Sequence, residues 1–188
     1  MIVLNTVSTV NGQNQTDIKG WRMAEWDMSR GDLIEAFKGE ISQIESNTLV
    51  IEKFTISEYS FDVGFLMNEK TSLLEGVVFR YNLKSENYKW LEYKSAFDFL
   101  EKSLIEKYGV PTNRKNDVNI DKEWDVLLEE KLYLIWIFPN TIIEIEYHYF
   151  NIFAAFNLSL GGVEKATDGM GWLSLEYRKP NSKVLDKF

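Results

Sequence analysis

The chain has 188 residues, 45% of them hydrophobic and including six Trp and twelve Phe, which excludes global disorder and supplies enough apolar material for a packed core. Its formal charge of -8, from 21 basic and 29 acidic residues, argues against nucleic acid or an anionic lipid surface as a partner. It has no cysteine, which excludes disulfides, thiolate nucleophiles and cysteine-type zinc sites.

The first 17 residues carry little periodicity and are predicted to form a flexible lead. They lack the basic segment and the continuous apolar segment of a signal peptide, although residues 10–15 have the composition that a cleavage region leaves. The sequence therefore leaves two locations open, the cytoplasm as written, and the periplasm or exterior if an upstream signal peptide precedes this chain. No apolar run reaches the roughly 20 residues that a membrane span needs.

The first predicted elements are a short strand at residues 18–26 and a helix at residues 30–38. Ser29 and Asp32 have the spacing of a capping box, which predicts that this helix begins directly after Ser29. Gly39 predicts its end. Three apolar residues should form its core-facing side: Leu33, Ile34 and Phe37.

Alternating apolar residues then predict two adjacent strands. Residues 59–67 alternate in the period of a half-buried strand, and residues 73–81 resume this alternation after a polar turn at residues 68–72. The two segments are predicted to form a hairpin. A further strand is expected before them, at residues 49–56.

A second amphipathic helix is predicted at residues 95–108. Ser95 and Asp98 repeat the capping pattern, Gly109 supplies a left-handed cap, and Pro111 prevents continuation. Four residues share the apolar side of this helix: Phe97, Leu100, Leu104 and Tyr108.

The remainder is predicted to be a polar loop at residues 112–122, followed by strands and a frayed tail at residues 178–188. Pro139 and Asn140 suit the central positions of a tight turn. The predicted strands are residues 124–128, 132–138, 141–150, 152–160 and 172–177.

The order of these elements predicts an α+β fold in which two short helices pack on a mainly antiparallel sheet. No segment is rich enough in Gly, Pro or Ser to separate two domains, so a single domain is predicted over residues 18–177. Because the Ser-x-x-Asp pattern precedes both helix-then-strand units, a diverged duplication of a helix-hairpin unit is a further hypothesis.

The opening of the predicted domain carries a family resemblance. Gly20-Trp21, the segment Trp26-Asp27-Met28-Ser29 and the pair Leu33-Ile34 resemble the start of small bacterial domains that read Trp-Gly-Met-Ser before an amphipathic helix. Those domains are similar to the small lipoprotein of the outer-membrane assembly machine and to the β-lactamase-inhibitor protein. The resemblance implies a bacterial protein in which the sheet or its edges bind another protein, and it carries over no functional residue, since the matching positions serve to start the helix.

The only histidine, His148, shares a predicted strand face with Glu144 and Glu146. An imidazole and two carboxylates are ligands that a divalent metal accepts. Three alternate positions extend over about 13 Å of strand, however, which is too far for one ion. We therefore expect no metal site and no cofactor, and we interpret these residues as the solvated side of the sheet.

Catalytic chemistry has little support in the sequence. Glu129 and Glu130 could serve as paired carboxylates in a glycoside hydrolase, but with 29 acidic residues chance pairs are certain. The glycine-rich segment 168–171 precedes a predicted strand and lacks the helix and lysine of a phosphate-binding loop. No nucleophile, metalloprotease or calcium-loop motif occurs in the sequence.

The function favoured by the sequence is a non-enzymatic protein-binding or structural module. Its predicted partner is another protein of basic or mixed charge. The alternative is a carbohydrate-binding protein or an acid/base hydrolase that uses surface aromatic residues and carboxylates. The candidate contact residues are Glu144, Glu146, His148 and Trp90, the last because it lies in a polar stretch.

Overall fold

The computed structural model describes residues 18–82, 89–122, 126–151 and 170–180. Three predicted segments lie wholly or partly outside the described residues: the lead at 1–17, the strand at 152–160 and residues 181–188 of the tail predicted at 178–188. Backbone contacts divide the chain into two compact units. The first unit comprises Met1–Val78, Ile137–Ile142 and Tyr177–Phe188, and the second comprises Phe79–Trp136 and Ile143–Glu176. The prediction of one domain over residues 18–177 stays a prediction.

The first unit contains one helix and several antiparallel strands. Its elements are β1 (Gly20–Trp21), β2 (Ala24–Glu25), α1 (Arg30–Ala36), β3 (Gln43–Ile44), β4 (Thr48–Ile56), β5 (Tyr59–Met67) and β6 (Leu74–Tyr81). The strands pair in the order β3-β4-β5-β6, with the end of β10 (Met170–Arg178) beside β6. The predictions of β4, β5 and β6 are confirmed. The single strand predicted at 18–26 is wrong, because Arg22 has a φ of 54° and the chain reverses there into the β1–β2 hairpin.

Helix α1 begins as the sequence predicts. The Ser29 side chain accepts from the backbone N–H of Asp32, and the Asp32 carboxylate accepts from the backbone N–H of Ser29, which completes the capping box. Leu33 and Phe37 are fully buried, and the Phe37 ring stacks parallel to Trp21. Ile34, which the pattern places on the core-facing side, is 37% exposed, because the buried residues Leu33 and Phe37 are four positions apart and Ile34 lies beside the row that they form.

Among its described residues, the second unit contains the longer helix and four strands. Its elements are α2 (Lys89–Tyr108), β7 (Asn113–Asp121), β8 (Val126–Ile137), β9 (Ile142–Phe150) and β10. The strands pair in the order β10-β9-β8-β7, with the end of β6 beside β10. Backbone hydrogen bonds join β8 and β9 at both ends of the hairpin. Beside the turn, Phe138 N donates to Thr141 O at 2.9 Å, and at the far end Asn151 N donates to Leu128 O at 2.8 Å. The predicted turn at Pro139-Asn140 is confirmed.

Helix α2 begins six residues before the predicted start. Ser95 and Asp98 therefore lie inside the helix, where Asp98 forms an i,i+4 ion pair with Lys94 instead of capping the backbone. The predicted end is confirmed, because Gly109 has a φ of 80° and its N–H donates to the carbonyl of Ile105. The predicted apolar residues Phe97, Leu100 and Leu104 are buried.

Two predictions for the second unit are corrected. The polar loop predicted at 112–122 is instead strand β7, whose described side chains are exposed, so that no apolar alternation marks it. The two strands predicted at 124–128 and 132–138 form the single strand β8. Its solvated positions Glu129 and Lys131 interrupt the apolar pattern without ending the strand.

The predicted α+β class is confirmed, with two helices and a mainly antiparallel sheet among the described residues. Over the described residues, each unit has a helix followed by four strands that pair in sequence, β3 to β6 after α1 and β7 to β10 after α2, and the first unit also has the β1–β2 hairpin before its helix. This is the order that a duplicated helix-hairpin unit predicts. Over the described residues, no helix combines the length and apolar character that crossing a membrane requires.

Candidate functional site

The candidate site lies on one face of β8, β9 and β10 in the second unit. Helix α2 packs on the other face, where the Phe97 ring lies 5.8 Å from the Tyr147 ring of β9. Because alternate strand residues point to opposite faces, Glu144, Glu146 and His148 lie on the side away from this contact. We call this side the outer face, and its residues on β10 include Met170 and Trp172.

His148 is the centre of the outer face. Its Nε2 atom lies 2.8 Å from the Oε1 atom of Glu129 on β8, and its ring meets Trp172 on β10 edge to face, with the centroids 4.4 Å apart. The imidazole is largely buried, whereas Trp172 is 49% exposed. The contacts to β8 and β10 therefore fix His148, and His148 in turn supports an indole that faces solvent.

Glu129 connects this cluster to the neighbouring charges. Lys131 forms an ion pair with the same carboxylate oxygen, with 2.8 Å between Nζ and Oε1. The hydrogen bond from Lys131 and then that from His148 hold the pKa of Glu129 below its ordinary value of 4.5. The carboxylate stays ionised at neutral pH, so this part of the outer face carries both signs of charge.

The three residues that the sequence grouped together do not share one environment. Glu146 is exposed and His148 is partly covered, but Glu144 is buried and its Oε1 atom accepts from the Tyr133 hydroxyl at 2.9 Å. The expectation of a uniformly solvated strand face is therefore wrong at Glu144, because Tyr133 on β8 covers its carboxylate. Across the described ranges, no group of three or more acidic or histidine side chains is placed to hold a metal ion.

The sequence reasoning did not place Glu129 and Trp172 beside His148. Strand alternation could have indicated that Trp172 lies on the outer face, because the next residue, Leu173, is 2% exposed on the opposite face of β10. Glu129 could be placed only from the pairing of β8 with β9. The other candidate contact, Trp90, has its side chain outside the described part of the chain.

The carboxylate pair Glu129-Glu130 does not form an acid/base couple on one face. Glu130 is buried on the side of α2, where the Tyr147 hydroxyl donates to its carboxylate at 3.3 Å. Burial and then the negative charge of Glu130 raise the pKa of Tyr147, so this phenol stays protonated and remains a donor. The two neighbouring glutamates serve opposite faces of the strand.

A concave region, separate from the outer face, lies in the first unit and has a volume of about 440 Å³. Trp26 lines it, and its Nε1 donates to the Thr141 hydroxyl at 2.8 Å. Lys179 also lines it and donates to both carboxylate oxygens of Asp27, each at 2.8 Å. The region, which we call the Trp26 cleft, thus combines an indole with an internally neutralised ion pair.

Comparisons of the chain with protein-family models, with characterised proteins and with solved structures find no match.

Proposed function

We propose that this chain is a non-enzymatic protein-binding module whose contact surface is the outer face around Trp172. The observation that carries the proposal is the 49% exposure of an indole that His148 holds in a fixed orientation. Exposed, preorganised aromatic side chains are the residues that most often dominate the energy of protein interfaces.

The residues around Trp172 supply the other parts of a binding surface. Met170 is 68% exposed and Phe150 is 38% exposed, so the indole has apolar neighbours on the described strands. Glu146 and the Glu129–Lys131 ion pair add charges of both signs. This arrangement of an apolar centre with charged surroundings suits a protein partner whose surface is basic or mixed in charge.

The family resemblance belongs to the same proposal. The small bacterial domains that this start of the first helix resembles bind other proteins through their sheets or the edges of those sheets. A sheet face that serves as the contact surface here would be the same use of a helix-on-sheet architecture. We place the contact residues by the geometry of β8, β9 and β10 and carry none over from that family.

Site-specific photo-crosslinking tests the proposal. A photoreactive phenylalanine analogue replaces Met170, which lies on the outer face and leaves Trp172 intact. The matched control carries the analogue at Val110, which is 80% exposed beyond the end of α2. We expect a discrete crosslinked protein at Met170 that is absent at Val110 and is lost when Trp172→Ala is added. Identical products at both positions, or a product that Trp172→Ala leaves unchanged, would contradict the proposal.

A carbohydrate-binding function is the second candidate, and the Trp26 cleft is the observation that favours it. Sugar sites combine an aromatic surface with a few placed polar groups, and Trp26 here lies beside Asp27, Lys179 and Asn140. The hydrolase form of this candidate would draw on Glu25 and Asp27, two carboxylates that line the same cleft, of which Asp27 is paired with Lys179.

Nuclear magnetic resonance separates this candidate from the first. Neutral and acidic oligosaccharides should shift the indole N–H resonance of Trp26, which is assigned through its loss in Trp26→Phe. The Trp172 indole resonance serves as the internal control and should not move. If no resonance of the Trp26 cleft shifts with any oligosaccharide, the carbohydrate-binding function is wrong.

A further inference from the structure

The outermost described strand of the second unit is β7. It pairs with β8 along one side, and the strand order ends with it among the described residues. It is nine residues long and contains no proline, and its described side chains are exposed along its length. A long outer strand presents unpaired backbone N–H and C=O groups, which another strand can use to extend the sheet.

The side chains of β7 do not prevent such pairing. Outer strands are usually protected by prolines, by bulges or by charges that repel an incoming strand. Residues 113–121 contain Arg114 and Lys115 against Asp117 and Asp121, so the charges of the strand cancel. Val118 is 47% exposed and adds apolar surface that another strand would cover.

The two charged residues nearest the middle of β7 lie on one side of the strand. Lys115 Nζ and Asp117 Oδ2 are 2.8 Å apart, as expected for residues separated by two positions. Regular pairing with β8 extends from Asn113 to Asn119, and the register shifts between Asn119 and Ile120. The regular part of β7 therefore has Asn116 at its centre.

Symmetry restricts how β7 can pair with itself. In a two-fold symmetric dimer, residue i opposite residue j requires residue j opposite residue i. Directly opposite residues of an antiparallel pair point to the same face, so i and j are separated by an even number of positions. The pairing is therefore centred on a single residue.

Charge and the extent of the regular segment then select the centre. A pairing centred on Lys115 places two lysines opposite each other, and a pairing centred on Asp117 places two aspartates opposite each other, which is destabilising. A pairing centred on Asn116 places Lys115 opposite the second copy's Asp117 twice. It also places Arg114 opposite Val118 and uses the whole regular segment from Asn113 to Asn119.

We propose that β7 is a self-association surface, which pairs antiparallel with β7 of a second copy in the register centred on Asn116. The occupant is thus another molecule of this chain. Backbone hydrogen bonds supply the attraction between the two strands, and the two reciprocal Lys115–Asp117 pairs select the register. This interface uses residues different from those of the outer face.

Charge exchange at two positions tests this register. Sedimentation velocity is measured for the full chain at concentrations that reach about 500 μM, where weak dimers are populated. The wild-type chain should dimerise. Lys115→Glu alone and Asp117→Lys alone should each weaken dimerisation by roughly tenfold or more, because each places like charges opposite each other twice. An equimolar mixture of the two variants should form a heterodimer, because every opposed pair is then of opposite sign.

The control variants are Lys38→Glu and Glu35→Lys, which make the same changes in net charge at an exposed ion pair at the C-terminal end of α1. Both should dimerise as the wild type does. Circular dichroism of each variant verifies that the fold is retained, and the heterodimer itself reports that both β7 variants are folded. A monomeric wild type, an undiminished dimer in either β7 variant, or a mixture that stays monomeric would each overturn the proposal.

Discussion

The close approach of β9 and β10 behind the outer face makes Gly171→Ala the most informative stability variant. A Cβ atom at Gly171 would lie 2.6 Å from the backbone oxygen of His148 and 3.3 Å from Cε2 of Tyr93. The first contact is with backbone, so it cannot be relieved by a side-chain rotation. Overpacking of this kind costs about 1–3 kcal/mol, and we expect Gly171→Ala to be destabilised by that amount.

A second strand glycine provides a control of opposite sign. A Cβ atom at Gly64 in β5 would lie 3.5 Å from Cγ2 of Thr48, which is ordinary van der Waals contact. Replacing glycine by alanine where the backbone permits it stabilises a protein by about 0.4–1 kcal/mol, because the unfolded chain loses freedom. Gly64→Ala should therefore be as stable as the wild type or more stable.

Urea unfolding measures both free energies, and the only histidine of the chain reports on the local geometry. The ring protons of His148 are shifted by the edge-on Trp172 indole, so Gly171→Ala should move the single histidine ring resonance. Gly64→Ala should leave that resonance in place. If Gly171→Ala is no less stable than the wild type and its histidine resonance is unmoved, the described contact between β9 and β10 is wrong.

Three further predictions test other contacts, two of them with a control variant. Arg22→Ala removes a guanidinium that lies 5.3 to 5.6 Å from the centroids of three aromatic rings. It should lower the free energy of unfolding in urea by about 1 kcal/mol. Glu40→Gln, which removes only the ion pair, should lower it by less. Leu100→Ala, at 3% exposure, should cost about 2–5 kcal/mol, against less than about 0.5 kcal/mol for the half-exposed Leu91→Ala on the same helix. The lowered pKa of Glu129 stabilises the folded state fully above the ordinary pKa of 4.5, and this stabilisation is lost as the pH falls through the lower pKa of the folded state. Glu129→Gln should therefore flatten the pH dependence of the free energy of unfolding in that range. An unchanged slope would contradict the prediction.

The strands that could be predicted from the sequence are those with one buried and one solvated face. Residues 59–67 match β5 because Phe61, Val63 and Phe65 are buried at alternate positions. β7 could not be predicted in the same way, since a strand with exposed side chains on both faces has no alternation. The polar composition that suggested a loop there is the composition of an outer strand.

The second helix and the outer face show two other limits of the sequence. Ser95 and Asp98 have a capping pattern, but an aspartate can instead pair with a lysine four residues earlier, and Lys94 occupies that position. The burial of Glu144 depends on Tyr133, which lies on a different strand. Alternation places Glu144 on the outer face, whereas only the pairing of β8 with β9 decides whether a tyrosine covers it.

The most direct test of the proposed function is the dissociation constant of the protein captured at Met170, measured by calorimetry against Trp172→Ala. The matched control is Leu91→Ala, which removes a side chain of similar exposure on α2, 52% against 49% for Trp172. We predict that Trp172→Ala raises the dissociation constant roughly thirtyfold, the ratio that a loss of about 2 kcal/mol gives, while Leu91→Ala leaves it unchanged. Equal dissociation constants for the wild type and Trp172→Ala would contradict the assignment of the outer face as the contact surface.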